Sequence, residues 1–126
     1  MLEILRADST PERAAQLSYT AGNAESQALA DALGAVFREA GWKVESSALS
    51  GMVLKPGVSV LLAEEQPPAW AESALRAMQA SGVEVKSASG YQPYYDEKKA
   101  ENPKWPGVPL AKGAAYVIVV GPEPKG

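Results

Sequence analysis

Aromatic residues are concentrated in the second half of the chain, where they could form a recognition surface. The group consists of Tyr91, Tyr94, Tyr95 and Trp105, with Lys98 between them. Rings with a polar tip are favoured where a surface contacts sugars, bases or protein partners. The glycines and prolines between residues 87 and 113 predict an irregular loop rather than a long regular element. This aromatic loop, residues 88–113, could bind a partner, or its rings could hold it against the domain.

The turn at residues 20–26 is a second candidate site, for an anion or a nucleotide. Its residues are Thr20, Gly22, Asn23 and Ser26. A glycine-containing turn that leads into a helix presents free N–H groups, which attract negative charge. However, neither the repeated glycines of a dinucleotide-binding turn nor a glycine-lysine-serine ending is present, and Glu25 would repel phosphate. A structural helix cap is therefore the other interpretation of this turn.

Residues for catalysis or metal binding are scarce, because the chain has no histidine and no cysteine. The usual proton carrier at neutral pH, the thiolate nucleophile and the preferred zinc ligands are therefore absent. Glu64 and Glu65 are adjacent, but neighbouring residues of a strand point to opposite faces and cannot share one site. We expect a chain that is not an enzyme and has no metal site and no cofactor. A carboxylate- or lysine-based enzyme is the third hypothesis for its function.

The charge of the chain argues against nucleic acid as a partner. The net charge is −3, with 46% hydrophobic and 21% charged residues, a composition typical of a folded domain. Phosphate binding needs a clustered cationic face. The close basic residues are Lys98, Lys99 and Lys104, and they are matched by Asp96, Glu97 and Glu101. A solvated charged segment is the simpler interpretation.

Hydrophobic periodicity predicts the clearest helix at residues 24–40. Asn23 is a good N-cap, and Gly41 suits the left-handed position after the last turn. A second helix is expected after Pro67 and Pro68, with Gly82 ending it.

Around these helices, short apolar or alternating segments predict strands. They lie at residues 16–20, 42–45, 58–62, 83–86 and 114–120. A shift of 41 residues aligns the two helices and their flanking strands. Two tandem strand–helix–strand units predict an α+β fold, a ferredoxin-like two-layer sandwich with an extra C-terminal strand. If the sheet has an open edge, the strand at 114–120 could pair with its copy in a homodimer.

The expected organisation is an N-terminal arm or short helix (1–15), a single α/β domain (16–122) and a tail (123–126). No run approaches the roughly 18–20 apolar residues of a membrane span, and the first residues lack the features of a signal peptide. We therefore expect a cytoplasmic chain, with tethering to a membrane through a segment outside this sequence as a further option.

Several short motifs are similar to those in soluble domains of uncharacterised, often membrane-tethered, bacterial proteins. They are GNAE at 22–25, AGWKV at 40–44, SGV at 81–83 and VIVVGP at 117–122. The chain also resembles, more distantly, the C-terminal α/β domain of LytR-type cell-wall proteins. The resemblance covers about residues 19–122 and implies a small α/β fold and tethering. It implies no activity.

Taken together, these features favour a non-catalytic sensing or protein-interaction domain of a larger bacterial protein, which uses the aromatic loop. The alternative is a small-ligand domain that binds an anion or a nucleotide at residues 20–26. The identity of the protein partner or ligand is left open.

Overall fold

Two strand–helix–strand units share one five-stranded sheet in a computed structural model of the chain. The structure describes residues 2–7, 14–49, 57–80, 84–105, 108 and 115–121. In chain order its elements are α1 (Leu2–Ala7), β1 (Ala14–Thr20), α2 (Ala24–Glu39), β2 (Lys43–Leu49), β3 (Val58–Leu62), α3 (Ala69–Ala80), β4 (Val85–Ala88), α4 (Tyr91–Glu101) and β5 (Tyr116–Val120). The predicted helix stop at Gly82, the tail 123–126, residues 106–107 and 109–113 of the predicted loop, and residue 114 of the predicted last strand lie outside the described residues.

The strand order is β2-β1-β5-β3-β4. β1 pairs in parallel with β2, and β3 pairs in parallel with β4, so each helical crossover joins two neighbouring strands. In a split βαβ arrangement, another strand lies between the two strands of each unit. The mixed α+β class and the two units are therefore as predicted. The ferredoxin-like order is not confirmed, because the sequence pattern predicts the units but not which strands become neighbours.

The last strand is the centre of the sheet rather than an addition to it. β5 pairs in parallel with β1 and antiparallel with β3. All five of its residues are buried, as expected for a strand that is covered on both faces. The expectation that this strand could pair with a second copy was wrong, because both of its hydrogen-bonding edges are occupied. In the part of the chain that the structure describes, the free edges of the sheet belong to β2 and β4.

The main core lies on one face of the sheet, beneath α1, α2 and α3. It contains Leu5 of α1, Leu33 and Phe37 of α2, Ala74 and Met78 of α3, and Leu17, Val60, Ile118 and Val120 of the sheet. The indole N–H of Trp42 donates a 3.0 Å hydrogen bond to the carbonyl oxygen of Leu5, which fastens α1 to the start of β2. In the described ranges, no helix is long and apolar enough to cross a membrane.

The ends of α2 follow the sequence prediction. Asn23 is the N-cap, and its side-chain oxygen accepts a 2.9 Å hydrogen bond from the backbone N–H of Ser26. Gly41 has φ 88°, the left-handed conformation that glycine adopts at little cost.

The predicted irregular loop contains a helix, which corrects the expectation for residues 88–113. α4 occupies Tyr91–Glu101. Pro93 is the third residue of α4. Its missing N–H removes no hydrogen bond there, because the N–H groups of the first turn have no partner within the helix. Pro103 follows the helix end. The prolines therefore flank the body of α4 instead of interrupting it, and the glycines and prolines of this stretch were given too much weight.

Candidate recognition surface

Four rings from α4 and the segment after it form one cluster, called here the α4 aromatic cluster. Its members are Tyr91, Tyr94, Tyr95 and Trp105. The tyrosines share one face of α4, since residues three and four apart are neighbours on a helix. Trp105 returns to this face after the helix ends, and its ring centroid lies 5.6 Å from the centroids of both Tyr94 and Tyr95. The structure thus brings together all four aromatic residues that the sequence singled out.

Tyr91 anchors the cluster to the rest of the domain. Its side chain is only 9% exposed, and its hydroxyl donates a 2.7 Å hydrogen bond to the carbonyl oxygen of Val108. Val108 packs against Val117 and Val119, on the face of β5 that points away from α1, α2 and α3. Burial raises the pKa of Tyr91 to about 12. This tyrosine therefore performs the holding role that was one of the two interpretations of the aromatic residues.

The other rings of the cluster point outward. Tyr94 is 48% exposed and is the one exposed large hydrophobic side chain among the described residues. Tyr95 and Trp105 are half-buried. Trp105 meets both tyrosines edge to face, at interplanar angles of 79° and 65°, the geometry that ring quadrupoles favour. Contacts among the rings keep them ordered although solvent reaches them.

Two lysines lie over the tyrosine rings. The ammonium of Lys98 is 5.6 Å from the ring centroid of Tyr94, and that of Lys99 is 5.7 Å from the ring centroid of Tyr95. Both distances are within the range of cation–π attraction. Lys99 also donates a 3.4 Å hydrogen bond to the carbonyl oxygen of Pro103. Lys98 was predicted as a site residue, whereas Lys99 was assigned only to the charged segment, although its spacing of four residues from Tyr95 is the signal for such a pair.

The acidic residues of α4 do not neutralise these lysines directly. Within the described part of the chain, no carboxylate forms a salt bridge with Lys98 or Lys99. Asp96 accepts a 2.9 Å hydrogen bond from the side-chain amide of Gln92. At 100° per residue, Asp96 lies on the side of the helix away from the three tyrosines, whereas Glu101 lies on the side of Tyr94. The charged residues near the rings are therefore the two lysines and Glu101, and within the described residues neither lysine forms a salt bridge.

The start of α4 is fixed by backbone contacts that periodicity alone does not reveal. The N–H of Gln92 donates a 2.9 Å hydrogen bond to the carbonyl oxygen of Ala63, just beyond β3. Gly90 precedes the helix with φ 71°, and a Cβ built on it would lie 3.1 Å from Cγ of Glu65. At the other end, the N–H of Trp105 donates to the carbonyl oxygen of Asn102 at 2.9 Å. These contacts hold the cluster in a fixed position on the sheet.

The candidate anion-binding turn is closed by its own hydrogen bonds. The hydroxyl of Ser26 is buried, accepts from the N–H of Thr20 at 3.2 Å, and lies within donating distance of the carbonyl oxygens of Thr20 and Asn23. The N–H of Asn23 donates to the carbonyl oxygen of Thr20, and the N–H of Ser26 donates to Asn23 Oδ1. Gly22 supplies the positive φ of 78° that the turn requires. Several amides that would hold an anion are thus already paired.

Among the described residues, three buried hydroxyls have no hydrogen-bond partner, and no pattern in the sequence singled them out. Ser18 and Thr20 lie on the face of β1 away from α2, while Tyr116 lies on the helical face of β5 beside Trp70. Within the described ranges, no three acidic side chains come together as a metal site would require.

Comparisons with protein-family models, with curated proteins and with solved structures each gave no significant match. The resemblance of residues 19–122 to LytR-type and membrane-tethered bacterial domains therefore stays a prediction.

Proposed function

We propose that the chain is a non-catalytic protein-interaction domain whose recognition surface is the outward part of the α4 aromatic cluster. This surface consists of Tyr94, Tyr95 and Trp105 with Lys98 and Lys99. The observation that carries the proposal is the 48% exposure of Tyr94 within an ordered group of rings. Tyrosine and tryptophan are enriched among the residues that dominate binding energy at interfaces.

The difference in burial and contacts between Tyr91 and Tyr94 supports a role in recognition over a purely structural role. Tyr91 already holds α4 through its burial and its hydrogen bond to Val108. Tyr94 adds little to that attachment, because about half of its surface is exposed. Rings that are ordered before a partner arrives lose little conformational entropy on binding, which favours affinity.

The lysines indicate what the partner carries. Each ammonium occupies space over a tyrosine ring, so the flat face that a sugar or a base would stack on is partly covered. Tyr94 is exposed, the other residues of this surface are partly exposed, and neither lysine forms a salt bridge within the described residues. This combination fits a protein segment with an apolar side chain beside an aspartate or a glutamate, since opposite charges fix the register of an interface.

Partner capture from a lysate of the source organism tests this proposal. The wild type is compared with Tyr94→Ala, Trp105→Ala and the matched control Asp96→Ala, which changes an exposed residue on the other side of α4. We expect one or more proteins to be retained by the wild type and by Asp96→Ala, and to be lost with both aromatic variants. Higher salt should weaken the capture, because exposed charges are screened.

Stability measurements on the same variants separate binding from a structural role. Truncation of a fully buried aromatic residue costs about 3–5 kcal/mol. For Tyr94→Ala we expect a much smaller loss, on the order of 1 kcal/mol, because the ring is half-exposed. A loss of about 3–5 kcal/mol in the free energy of unfolding of Tyr94→Ala would contradict the proposal. Equal partner capture by the wild type and the three variants would contradict it as well.

The wider setting follows from the resemblance alone. A sensing or interaction module of a larger, membrane-tethered bacterial protein is the arrangement that the similarity of residues 19–122 supports. Cell fractionation tests this arrangement: an antibody against this domain should detect the native gene product in the membrane fraction rather than in the soluble fraction.

A further inference from the structure

The two free edges of the sheet differ in how well they are protected. β4 has only four residues, contains Lys86 and leads after two residues into α4. Short edge strands and edge lysines are devices that prevent pairing with other chains. β2 at the opposite edge has seven residues, and its one lysine, Lys43, stands at the first position of the strand.

β2 is a regular strand with one open side. All seven of its residues pair one to one with β1, without a bulge, and none is a proline. Five of the seven are exposed, among them the small residues Ser46, Ser47 and Ala48. Small side chains allow another backbone to approach. Within the described part of the chain, no element pairs with the outer side of β2.

We propose that β2 pairs antiparallel with β2 of a second copy of the chain, which joins the two sheets into one of ten strands. The distribution of charge favours a second copy as the occupant. Lys43 and Glu45 lie in the first half of the strand, and Ser46 to Leu49 are uncharged. A twofold axis at Ser46 pairs all seven residues and places Lys43 opposite Leu49 of the other copy, and Glu45 opposite its Ser47. No like charges are then directly opposite each other. Like charges in that position would destabilise the pairing.

The position of α2 is compatible with this dimer. Gly34 of α2 faces both Leu17 of β1 and Val44 of β2, so the helix lies over the gap between these two strands. A continuous sheet would separate the α2 axes of the two copies by two strand spacings, roughly 9.6 Å. Packed helices are typically 8–10 Å apart. The helices of the two copies would therefore meet side by side without a clash, and the α4 aromatic cluster, at the other half of the sheet, stays accessible.

Oligomeric state as a function of concentration tests the inference directly. In light scattering coupled to size exclusion, the wild type is expected to pass from monomer to twice the monomer mass as concentration rises. Ser46→Lys places two ammonium ions opposite each other on the axis and should raise the dissociation constant about fivefold. Ser87→Lys, at an exposed position of β4, is the matched control and should leave it unchanged. A wild type that stays monomeric up to about millimolar concentration, or a dimer that tolerates Ser46→Lys, would overturn the inference.

The absence of cysteine from the chain permits a second, positional test. Ser46→Cys introduces a single thiol on the proposed axis, where the two Cβ atoms would be about 4.5–5.5 Å apart, close to disulfide range. Ser87→Cys places the same thiol at an exposed position of β4. We expect mild oxidation to cross-link Ser46→Cys many times faster than Ser87→Cys. Equal rates would exclude pairing through β2.

Discussion

The hydroxyl of Tyr91 donates a 2.7 Å hydrogen bond to the carbonyl oxygen of Val108, and this contact ties α4 to the face of the sheet away from the main helices. Tyr91→Phe removes the donor and leaves a buried carbonyl unpaired. We expect a loss of about 1–2 kcal/mol in the free energy of unfolding, measured by urea denaturation. Tyr95→Phe is the matched control on the same helix face and should cost much less. Equal losses in the two variants would mean that the Val108 contact does not hold α4.

Alkaline pH should weaken the fold through the same residue. The pKa of Tyr91 is raised by burial from 10.0 to about 12 in the folded protein. The folded state therefore binds the phenolic proton of Tyr91 more tightly than the unfolded state does. The protonated side chain stabilises the fold fully below about pH 10, and this contribution to the free energy of unfolding is lost as the pH rises toward 12. Burial also raises the pKa of Tyr116. Urea denaturation between about pH 8 and pH 11 should show falling stability, with a shallower fall for Tyr91→Phe. An identical pH dependence in that variant would exclude Tyr91 as a source of the effect.

The hydroxyl of Tyr116 has no hydrogen-bond partner among the described residues, and its side chain is only 2% exposed. Burial of an unpaired hydroxyl costs free energy, and phenylalanine keeps the ring while removing that group. We expect Tyr116→Phe to leave the stability unchanged or to raise it by about 1 kcal/mol. Thermal and urea denaturation measure the change. A clear loss of stability would show that the hydroxyl does find a hydrogen-bond partner in solution.

Gly90 should be sensitive to substitution, for two separable reasons. Its φ of 71° is unfavourable for residues with a Cβ, and the new Cβ would lie 3.1 Å from Cγ of Glu65. We expect Gly90→Ala to cost about 1–2 kcal/mol through the backbone conformation alone. Repeating the substitution in a Glu65→Ala background removes the contact but keeps the strain, so most of the loss should remain. A neutral Gly90→Ala would indicate that α4 can begin with a different backbone geometry.

The elements of the first unit could be predicted from sequence because their signals are local. The alternating apolar residues of α2, its cap at Asn23 and its stop at Gly41 each depend on neighbours within a few positions, and the structure confirms them. The pairing of strands is not local. The residues of β1 and β3 do not indicate that β5 lies between them. The continuous apolar run of β5 is nevertheless typical of a strand covered on both faces.

The candidate surface was predicted in composition but not in form. The four aromatic residues were identified from their density in the sequence, yet Pro93 and Pro103 led to a loop where α4 forms. The pairing of Tyr91 with Val108 joins residues seventeen positions apart and depends on how the chain returns to the sheet. The contacts of Lys98 with Tyr94 and of Lys99 with Tyr95 join residues four apart, a spacing that makes neighbours only in a helix.

The central position of β5 has a consequence for the order in which the domain can fold. β1 and β3 do not pair with each other, and each contacts β5, which follows them in the chain. While the chain is synthesised, the two strand–helix–strand units can form separately but cannot join into one sheet until residues 116–120 leave the ribosome. Until then, one backbone edge of β1 and one of β3 are unpaired, which is the period when chaperone binding or misassembly would compete with folding.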